Sequence, residues 1–131
     1  MKVLEHLYYT ETEEWVKVEG TFATIGITDH AQEQMGGITY LQLPGVDEEF
    51  EMGQSIGVID SSKTSQEVYA PLSGRIVKVN TGLTENPDNL ERINKDPYGE
   101  GWLFQLEMTK PEEVSGLMRA AAYQEFAGKE E

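Results

Sequence analysis

Short runs of alternating apolar and polar residues recur along most of the chain. Residues 15–18 and 22–25 are two such runs, and Gly20 between them can supply the positive φ of a tight hairpin turn. Residues 38–43 alternate in the same way and stop at a Pro-Gly pair, which predicts a further strand. Residues 81–101 lack this pattern and predict a loop. The same reasoning predicts strands at residues 55–60, 67–70, 75–80 and 102–108.

Two segments are typical of helices. Thr28 or Asp29 can cap a short helix that the Gly36-Gly37 pair ends. Near the C-terminus, Thr109 with an acid three residues later forms a capping-box pattern. Apolar residues then recur at helical spacing and predict one helix that packs on a β core, through Val114, Leu117, Met118, Ala121, Ala122 and Phe126. Short strands at this spacing predict a compact, mainly β barrel or sandwich.

Composition restricts the classes of partner. The chain has 131 residues, which we expect to form a single domain over residues 1–131, and its 24 acids and 10 bases give a net charge of −14. Such a surface repels phosphate backbones and anionic lipid, so we expect binding to neither nucleic acid nor membrane. Without cysteine, the chain has no disulfide, thiolate metal site or cysteine nucleophile. Because a signal-peptide pattern and a membrane-length apolar run are lacking, we expect a cytoplasmic protein.

The residues do not predict an enzyme. His6 and His30 lack metal-ligand spacing and are interpreted as ordinary surface or helix residues, so no metal site is expected. Acidic pairs arise by chance in so acidic a chain, and nothing identifies two of them as a general acid and base. We therefore expect no catalytic residues.

The polar tip between residues 55–60 and 67–70 is the best candidate for function. It contains Lys63, and its flanks predict that this lysine lies at the apex of a β-hairpin. A flexible amine on a rigid hairpin is well placed for another protein to modify. From spacing alone, an inert surface lysine remains the plainer interpretation.

Several sequence blocks together resemble the H protein of the glycine cleavage system. The match runs in order from about Leu7 to Phe126. It includes Glu14-Trp15-Val16, Gly26-Ile27-Thr28-Asp29-His30-Ala31-Gln32, Leu43-Pro44, Lys63, Pro71-Leu72-Ser73-Gly74 and Asp96-Pro97-Tyr98-Gly99-Glu100-Gly101-Trp102-Leu103. The resemblance implies a mainly β, barrel-sandwich hybrid fold of two antiparallel sheets, with a short internal helix and a C-terminal helix. It also implies that Lys63 carries lipoate through an amide.

The implied function is that of a non-catalytic lipoyl carrier. Its arm would shuttle a group between enzymes, here the aminomethyl intermediate of glycine cleavage. The implied partners are a lipoate ligase or lipoyl/octanoyl transferase, glycine decarboxylase, aminomethyltransferase and dihydrolipoyl dehydrogenase, and we expect a monomer. By position, Thr12, Glu14 and Glu67 are the candidates for a surface on which the loaded arm docks. The other interpretation of these three is that they are solvated surface residues.

Departures from the family pattern surround the lysine and leave alternatives open. Glu13 stands where a histidine is common, Asp60-Ser61-Ser62 replaces the common Glu-Ser-Val, and residues 64–67 replace small, alanine-rich residues. Partner proteins would contact this surface. One alternative is an H-like protein whose dithiolane carries sulfur for a heterodisulfide-reductase-like complex in sulfur oxidation. Others are a lipoate-relay protein, or an interaction domain in which Lys63 has no role.

Overall fold

The computed structural model describes residues 1–130, so residue 131 of the predicted domain lies outside the described residues. The strands are β1 Tyr8–Tyr9, β2 Glu14–Glu19, β3 Phe22–Ile27, β4 Ile38–Gln42, β5 Glu49–Phe50, β6 Ser55–Ser61, β7 Ser65–Tyr69, β8 Gly74–Val79 and β9 Phe104–Met108. The α-helices are α1 Asp29–Met35, α2 Glu91–Lys95 and α3 Ala120–Glu130. Short 3-10 helices lie at Thr81–Leu83, Pro87–Leu90 and Pro111–Gly116.

The strands form two antiparallel sheets, as predicted. One has six strands in the order β1-β2-β3-β9-β8-β5, and the other has three in the order β4-β6-β7. Side chains from both sheets, such as Ile25, Ile59, Ile76 and Leu106, are buried together in the main hydrophobic core. Because each strand alternates its side chains between two faces, this burial fixes the register of both sheets. The mainly β, two-sheet fold class is confirmed.

Local turn chemistry explains the two hairpins. Gly20 has a φ of +62° between β2 and β3, a conformation that glycine adopts without a Cβ penalty. Between β6 and β7 the pairing of Asp60 with Ser65 leaves a short turn, which the Ser61 N–H closes on the Thr64 carbonyl at 2.8 Å. The predicted hairpin with Lys63 at its tip is therefore confirmed.

Helix α1 begins and ends where the sequence predicts. The Thr28 hydroxyl accepts a hydrogen bond from the Ala31 N–H at 3.1 Å and caps the first turn. Gly36 ends the helix with a φ of +75°, a conformation in which glycine is favoured. In the part of the chain that the structure describes, no helix is long and apolar enough to cross a bilayer.

The prediction of a loop over residues 81–101 was wrong, because helical turns occupy much of it. Asn86 caps the 3-10 helix Pro87–Leu90 by accepting a hydrogen bond from the Asp88 N–H at 3.0 Å, and α2 follows directly. The buried side chains Leu90 and Ile93 hold these turns to the core. Their apolar pattern is too short to distinguish from a loop in the sequence.

The prediction of one continuous C-terminal helix was also wrong. The 3-10 helix Pro111–Gly116 is followed by an extended stretch, and α3 begins only at Ala120. The break arises because Met118 pairs with Tyr9 through two backbone hydrogen bonds of 2.8 and 2.9 Å. Extended pairing of this kind is incompatible with helical backbone at the same residue.

The cap and the buried face of the C-terminal segment also differ from the prediction. Lys110, not Thr109, occupies the first cap position, and it makes no side-chain capping bond. In α3 the fully buried residues are Tyr123 and Ala127, whereas Ala121 and Ala122 are exposed. Tyr123 and Ala127 pack with Leu7, Tyr9 and Trp15 in a second hydrophobic cluster. Helix α3 therefore packs mainly on the N-terminal segment.

Candidate functional site

Lys63 is exposed at the turn of the β6–β7 hairpin. Its backbone N–H donates to Ser61 Oγ at 3.4 Å, which holds the turn while leaving the side chain outside the core. The side chain lies along Gly36 at the end of α1, where a Cβ on Gly36 would be 3.5 Å from Lys63 Cε. The amine is therefore presented on a firm backbone and remains accessible.

A cavity of about 530 Å3 lies away from the hairpin tip. It is lined by the turn before β2, the turn after β5, the end of β7 and the segment before α3, through Tyr9, Thr10, Glu11, Thr12, Glu14, Met52, Gly53, Tyr69, Ala70, Pro71, Gly116, Leu117 and Met118. Most of this lining is apolar, and its two carboxyl groups are the exposed Glu11 and the buried Glu14. Such a cavity suits an aliphatic chain that carries a polar end.

Glu14 is almost completely buried, with an exposed fraction of 1%. Its Oε1 accepts hydrogen bonds from the Thr10 hydroxyl at 2.6 Å and the Thr12 hydroxyl at 2.5 Å. Its Oε2 accepts one from the Tyr69 backbone N–H at 3.2 Å. A buried carboxyl with this many donors can hold a negative charge, because hydrogen bonds offset part of the lost hydration.

Burial is nevertheless the larger influence and raises the pKa of Glu14 to about 7. The hydroxyls of Thr10 and Thr12 and the Tyr69 amide lower this pKa, while the negative charge of Glu13 raises it further. Near neutral pH the carboxyl therefore changes charge readily. An approaching cation would favour its ionised form, since opposite charges attract strongly where water is excluded.

Strand β7 connects the hairpin tip with this cavity. From Ser65 to Tyr69 it spans roughly 13 Å at the usual rise per residue. Glu67 and Tyr69 share one face, and the Tyr69 hydroxyl donates to Glu67 Oε2 at 3.1 Å. Glu67 is exposed and lies beside this path, outside the cavity lining.

The structure thus brings two of the predicted docking residues together and keeps the others apart. Thr12 and Glu14 are hydrogen-bonded at the cavity, whereas Glu67 is linked to it only through Tyr69. Lys63 is not part of the cavity lining, so only a lengthened side chain could reach Glu14. The interpretation of Glu14 as a solvated surface acid is wrong, because β7 and the turn before β2 bury it.

Sequence reasoning missed several cavity residues. Tyr69 contributes a backbone N–H, which no side-chain pattern reveals. Met52, Leu117 and Met118 come from distant turns, so their shared position required the tertiary fold. The Thr-x-Thr-x-Glu pattern at residues 10–14 did not identify Thr10 either, because these residues form a turn and not an extended segment.

The histidines differ from each other. His6 is exposed, as expected, but His30 is buried, and its Nδ1 lies 3.2 Å from Glu13 Oε2. Across residues 1–130, no group of three or more His, Asp or Glu side chains is arranged to hold a metal ion. His30 thus lies in helix α1, one of the two positions expected of it, but it is buried there and contacts Glu13.

Comparison with known proteins relates this geometry to a family. The family model for the glycine cleavage H-protein matches residues 7–130. The glycine cleavage system H proteins of Thermotoga maritima and Methylacidiphilum infernorum are 50% and 48% identical over 93% and 96% of this chain, and 96% of each relative is covered. A crystal structure of a glycine cleavage system H protein from Mycobacterium marinum matches with a TM-score of 0.83 at 35% identity, covering 98% of both chains. This chain belongs to the glycine cleavage H-protein family.

Proposed function

We propose that Lys63 is the lipoyl attachment site of this carrier and that the Glu14 cavity receives the loaded arm. Because it belongs to this family, the protein is a lipoyl carrier of the glycine cleavage system. Members of the H-protein family carry lipoate covalently on a lysine. No comparison favours the sulfur-carrying or lipoate-relay alternatives. The observation that carries the proposal is a buried, hydrogen-bonded carboxyl in an open cavity at the end of the strand that leaves the Lys63 turn.

The residues present fit lipoate. Lys63 offers an exposed primary amine for amide formation, and the hairpin around it leaves room for a modifying enzyme. The apolar lining from Met52, Leu117 and Met118 suits the aliphatic part of a lipoyl arm. When bound, lipoate supplies a dithiolane that takes up and releases an aminomethyl group, while the protein supplies orientation and docking.

In this proposal the cavity protects a cationic cargo amine from water. Glu14 pairs with the amine in its ionised form, and the hydroxyls of Thr10 and Thr12 hold the carboxylate in place. Because the pKa of Glu14 is raised to about 7 by burial, pairing becomes weaker as the pH falls below neutrality. Glu67 contributes through its bond to Tyr69 and through negative charge along the route of the arm.

The family acts with glycine decarboxylase, aminomethyltransferase and lipoamide dehydrogenase, among which a tethered group moves without diffusing away. For this chain we further propose modification by a lipoate ligase or lipoyl/octanoyl transferase. It would act as a single-domain monomer without catalysis of its own. A location in the cytoplasm stays a prediction. The net charge of −14 supports docking through basic patches on the partner enzymes.

Attachment is tested by incubating the folded protein with a lipoate ligase and reading its mass. We expect one lipoyl group on the Lys63 peptide and none in Lys63→Ala. Lys17→Ala is the matched control, since Lys17 is another exposed lysine, on β2. The folded wild-type protein staying unmodified, or modification continuing in Lys63→Ala, would refute the assignment.

The cargo is tested with glycine and a glycine decarboxylase. The lipoylated wild-type protein should accept an aminomethyl group, and Glu14→Gln should accept it but lose it to water about tenfold faster, as expected for a buried charge pair. Equal lifetimes for the two loaded proteins would remove Glu14 from the proposed docking site. Failure of the wild-type protein to be loaded would remove the aminomethyl cargo itself.

A further inference from the structure

Glu13, the residue that departs from the family pattern, has an unusual backbone conformation. Its φ is +75°, a value that costs a residue with a Cβ about 1 kcal/mol or more. The turn is closed by the Glu13 N–H on the Thr10 carbonyl at 3.2 Å and by the Thr10 N–H on the Glu14 carbonyl at 3.0 Å. The geometry of this turn directs the side chains of Glu13 and Glu14 to different sides. Glu14 enters the cavity, and Glu13 enters a separate cleft beside His30.

Contacts from two helices hold Glu13 in that position. The Thr28 hydroxyl donates to Glu13 Oε1 at 2.9 Å, and the Thr28 backbone N–H donates to the Glu13 carbonyl at 3.0 Å. His30 Nδ1 lies 3.2 Å from Glu13 Oε2. From α3, the Tyr123 hydroxyl donates a hydrogen bond to Glu13 Oε1. Bonds at both the side chain and the backbone offset the cost of the positive φ.

Tyr123 also contacts the wall of the cavity. Its ring is fully buried and stacks on Tyr9, with centroids 4.4 Å apart and planes inclined by 10°. Tyr9 lines the cavity and exchanges two backbone hydrogen bonds with Met118, which lines it too. One side chain of α3 therefore contacts both the turn that carries Glu14 and the strand that forms the adjacent wall.

We propose that Tyr123 is a positioning residue for the docking site: its hydroxyl fixes Glu13, and this keeps Glu14 directed into the cavity. The inference rests on the proposed function of Glu14. It gives the C-terminal helix a role in holding the cargo, in addition to its packing on the N-terminal segment. This positioning role of Tyr123 requires a hydrogen-bond acceptor at residue 13, here the Glu13 carboxylate.

Tyr123→Phe tests this role, because it keeps the ring stacking and removes the hydroxyl, which contacts Glu13 and also the Thr28 hydroxyl at 2.9 Å. Tyr98→Phe is the matched control. The Tyr98 hydroxyl is also partly buried, and it donates to the Lys2 carbonyl at 2.6 Å and accepts from the Asp29 N–H at 3.2 Å. It lies beside the Tyr9 hydroxyl, but its hydrogen bonds do not include Glu13 or Glu14. Both substitutions remove one hydroxyl with backbone or carboxylate partners, so both should lower the melting temperature by a similar small amount.

Two readouts distinguish positioning from simple anchoring. In the protein without lipoate, the NMR titration midpoint of the Glu14 carboxyl should move from about 7 toward 4.5 in Tyr123→Phe, because a misdirected carboxyl regains water. In the loaded protein, loss of the aminomethyl group to water should accelerate about fivefold, the factor that one hydrogen bond contributes. Tyr98→Phe should change neither quantity.

A double-mutant cycle tests whether Glu13 transmits the effect. If it does, Glu13→Ala should lose the aminomethyl group about as fast as Tyr123→Phe. The double variant should lose it no faster than either single variant. Glu13→Gln keeps an acceptor for the Tyr123 hydroxyl and should retain most of the protection. Additive losses in the double variant, or a midpoint for Glu14 that is unchanged in Tyr123→Phe, would overturn the inference.

Failure of this inference is distinguishable from failure of the proposed function. If Glu14→Gln shortens the lifetime of the loaded protein and Tyr123→Phe does not, the cavity retains its role and only the positioning role of Tyr123 is refuted. If Glu14→Gln itself has no effect on that lifetime, the docking proposal is refuted first. The inference about Tyr123 then fails with it.

Discussion

The Lys63 hairpin and the Glu14 turn place charged groups in opposite environments. Lys63 lies exposed at a turn whose hydrogen bonds involve the backbone and Ser61. Glu14 has an exposed fraction of 1%, and three donors hold its carboxyl. The turn before it contains Glu13, whose positive φ is maintained by contacts from α1 and α3.

The difference corresponds to two tasks. An attachment lysine must reach a modifying enzyme and then move among partners, so it benefits from exposure and a free side chain. A docking carboxylate must act where water is excluded, since only there is its attraction for a cation strong. Rigid support is needed for the second task, because a buried charge tolerates little misplacement. We therefore expect the hairpin tip to tolerate substitution and the turn before β2 to resist it.

The largest expected effect is the pH-dependent lowering of the unfolding free energy by the buried carboxyl of Glu14. Its pKa is raised from 4.5 to about 7, so the folded state binds the proton more tightly than the unfolded state. The contribution of Glu14 to stability is therefore greatest below pH 4.5 and is lost as the pH rises to about 7, by on the order of 3 kcal/mol. Urea unfolding of wild type and Glu14→Gln across pH 4 to 8 measures this as a difference between the two curves. Parallel curves would mean that Glu14 is more hydrated than its burial indicates.

The next largest difference between the two regions should be the stability cost of adding a Cβ to a glycine. In Gly26→Ala, the new Cβ would lie 2.5 Å from Trp15 Nε1, whose indole donates to the Pro97 carbonyl beside the Glu14 strand. We expect a loss of about 2 kcal/mol in unfolding free energy from overpacking. Gly37→Ala, near the hairpin, meets no atom within 4 Å and should change stability by less than about 0.5 kcal/mol. Similar losses of unfolding free energy in both variants would contradict the difference in packing between the two regions.

Thr12 should have a smaller, specific effect. Thr12→Val removes the hydroxyl that donates to Glu14 Oε1 at 2.5 Å, which should raise the pKa of Glu14 further. At pH 7 the loaded protein should then lose its cargo about fivefold faster, the worth of one hydrogen bond. Thr12→Ser keeps the hydroxyl and is the control. If both variants protect the cargo like wild type, Thr12 has no part in docking.

Glu67 should have the smallest effect. It is exposed and touches the cavity only through the Tyr69 hydroxyl, so Glu67→Gln should change cargo lifetime less than twofold. The control is Glu19→Gln, an exposed acid at the end of β2. A tenfold effect of Glu67→Gln alone, measured by the same loss of aminomethyl group, would show that Glu67 contacts the cargo directly. The docking surface would then extend along β7.

The fold was predictable wherever its cause is local. Gly20 marked the first hairpin, and Thr28 with Gly36 delimited α1, because caps and positive φ depend on a few neighbouring residues. The C-terminal helix was predicted too long because its break depends on Met118 pairing with Tyr9, more than a hundred residues away. No periodicity in the sequence encodes that contact.

The same division separates the two halves of the candidate site. The sequence by itself determined that Lys63 is an accessible amine at a hairpin tip, because alternation and turn residues specify a hairpin locally. It named Thr12 and Glu14 only through family resemblance. The tertiary structure alone decided that Glu14 is buried with a pKa near 7, because burial depends on segments far apart in the chain, such as Tyr69 and Leu117. Exposure is a local property of a turn, whereas desolvation is a property of the whole fold.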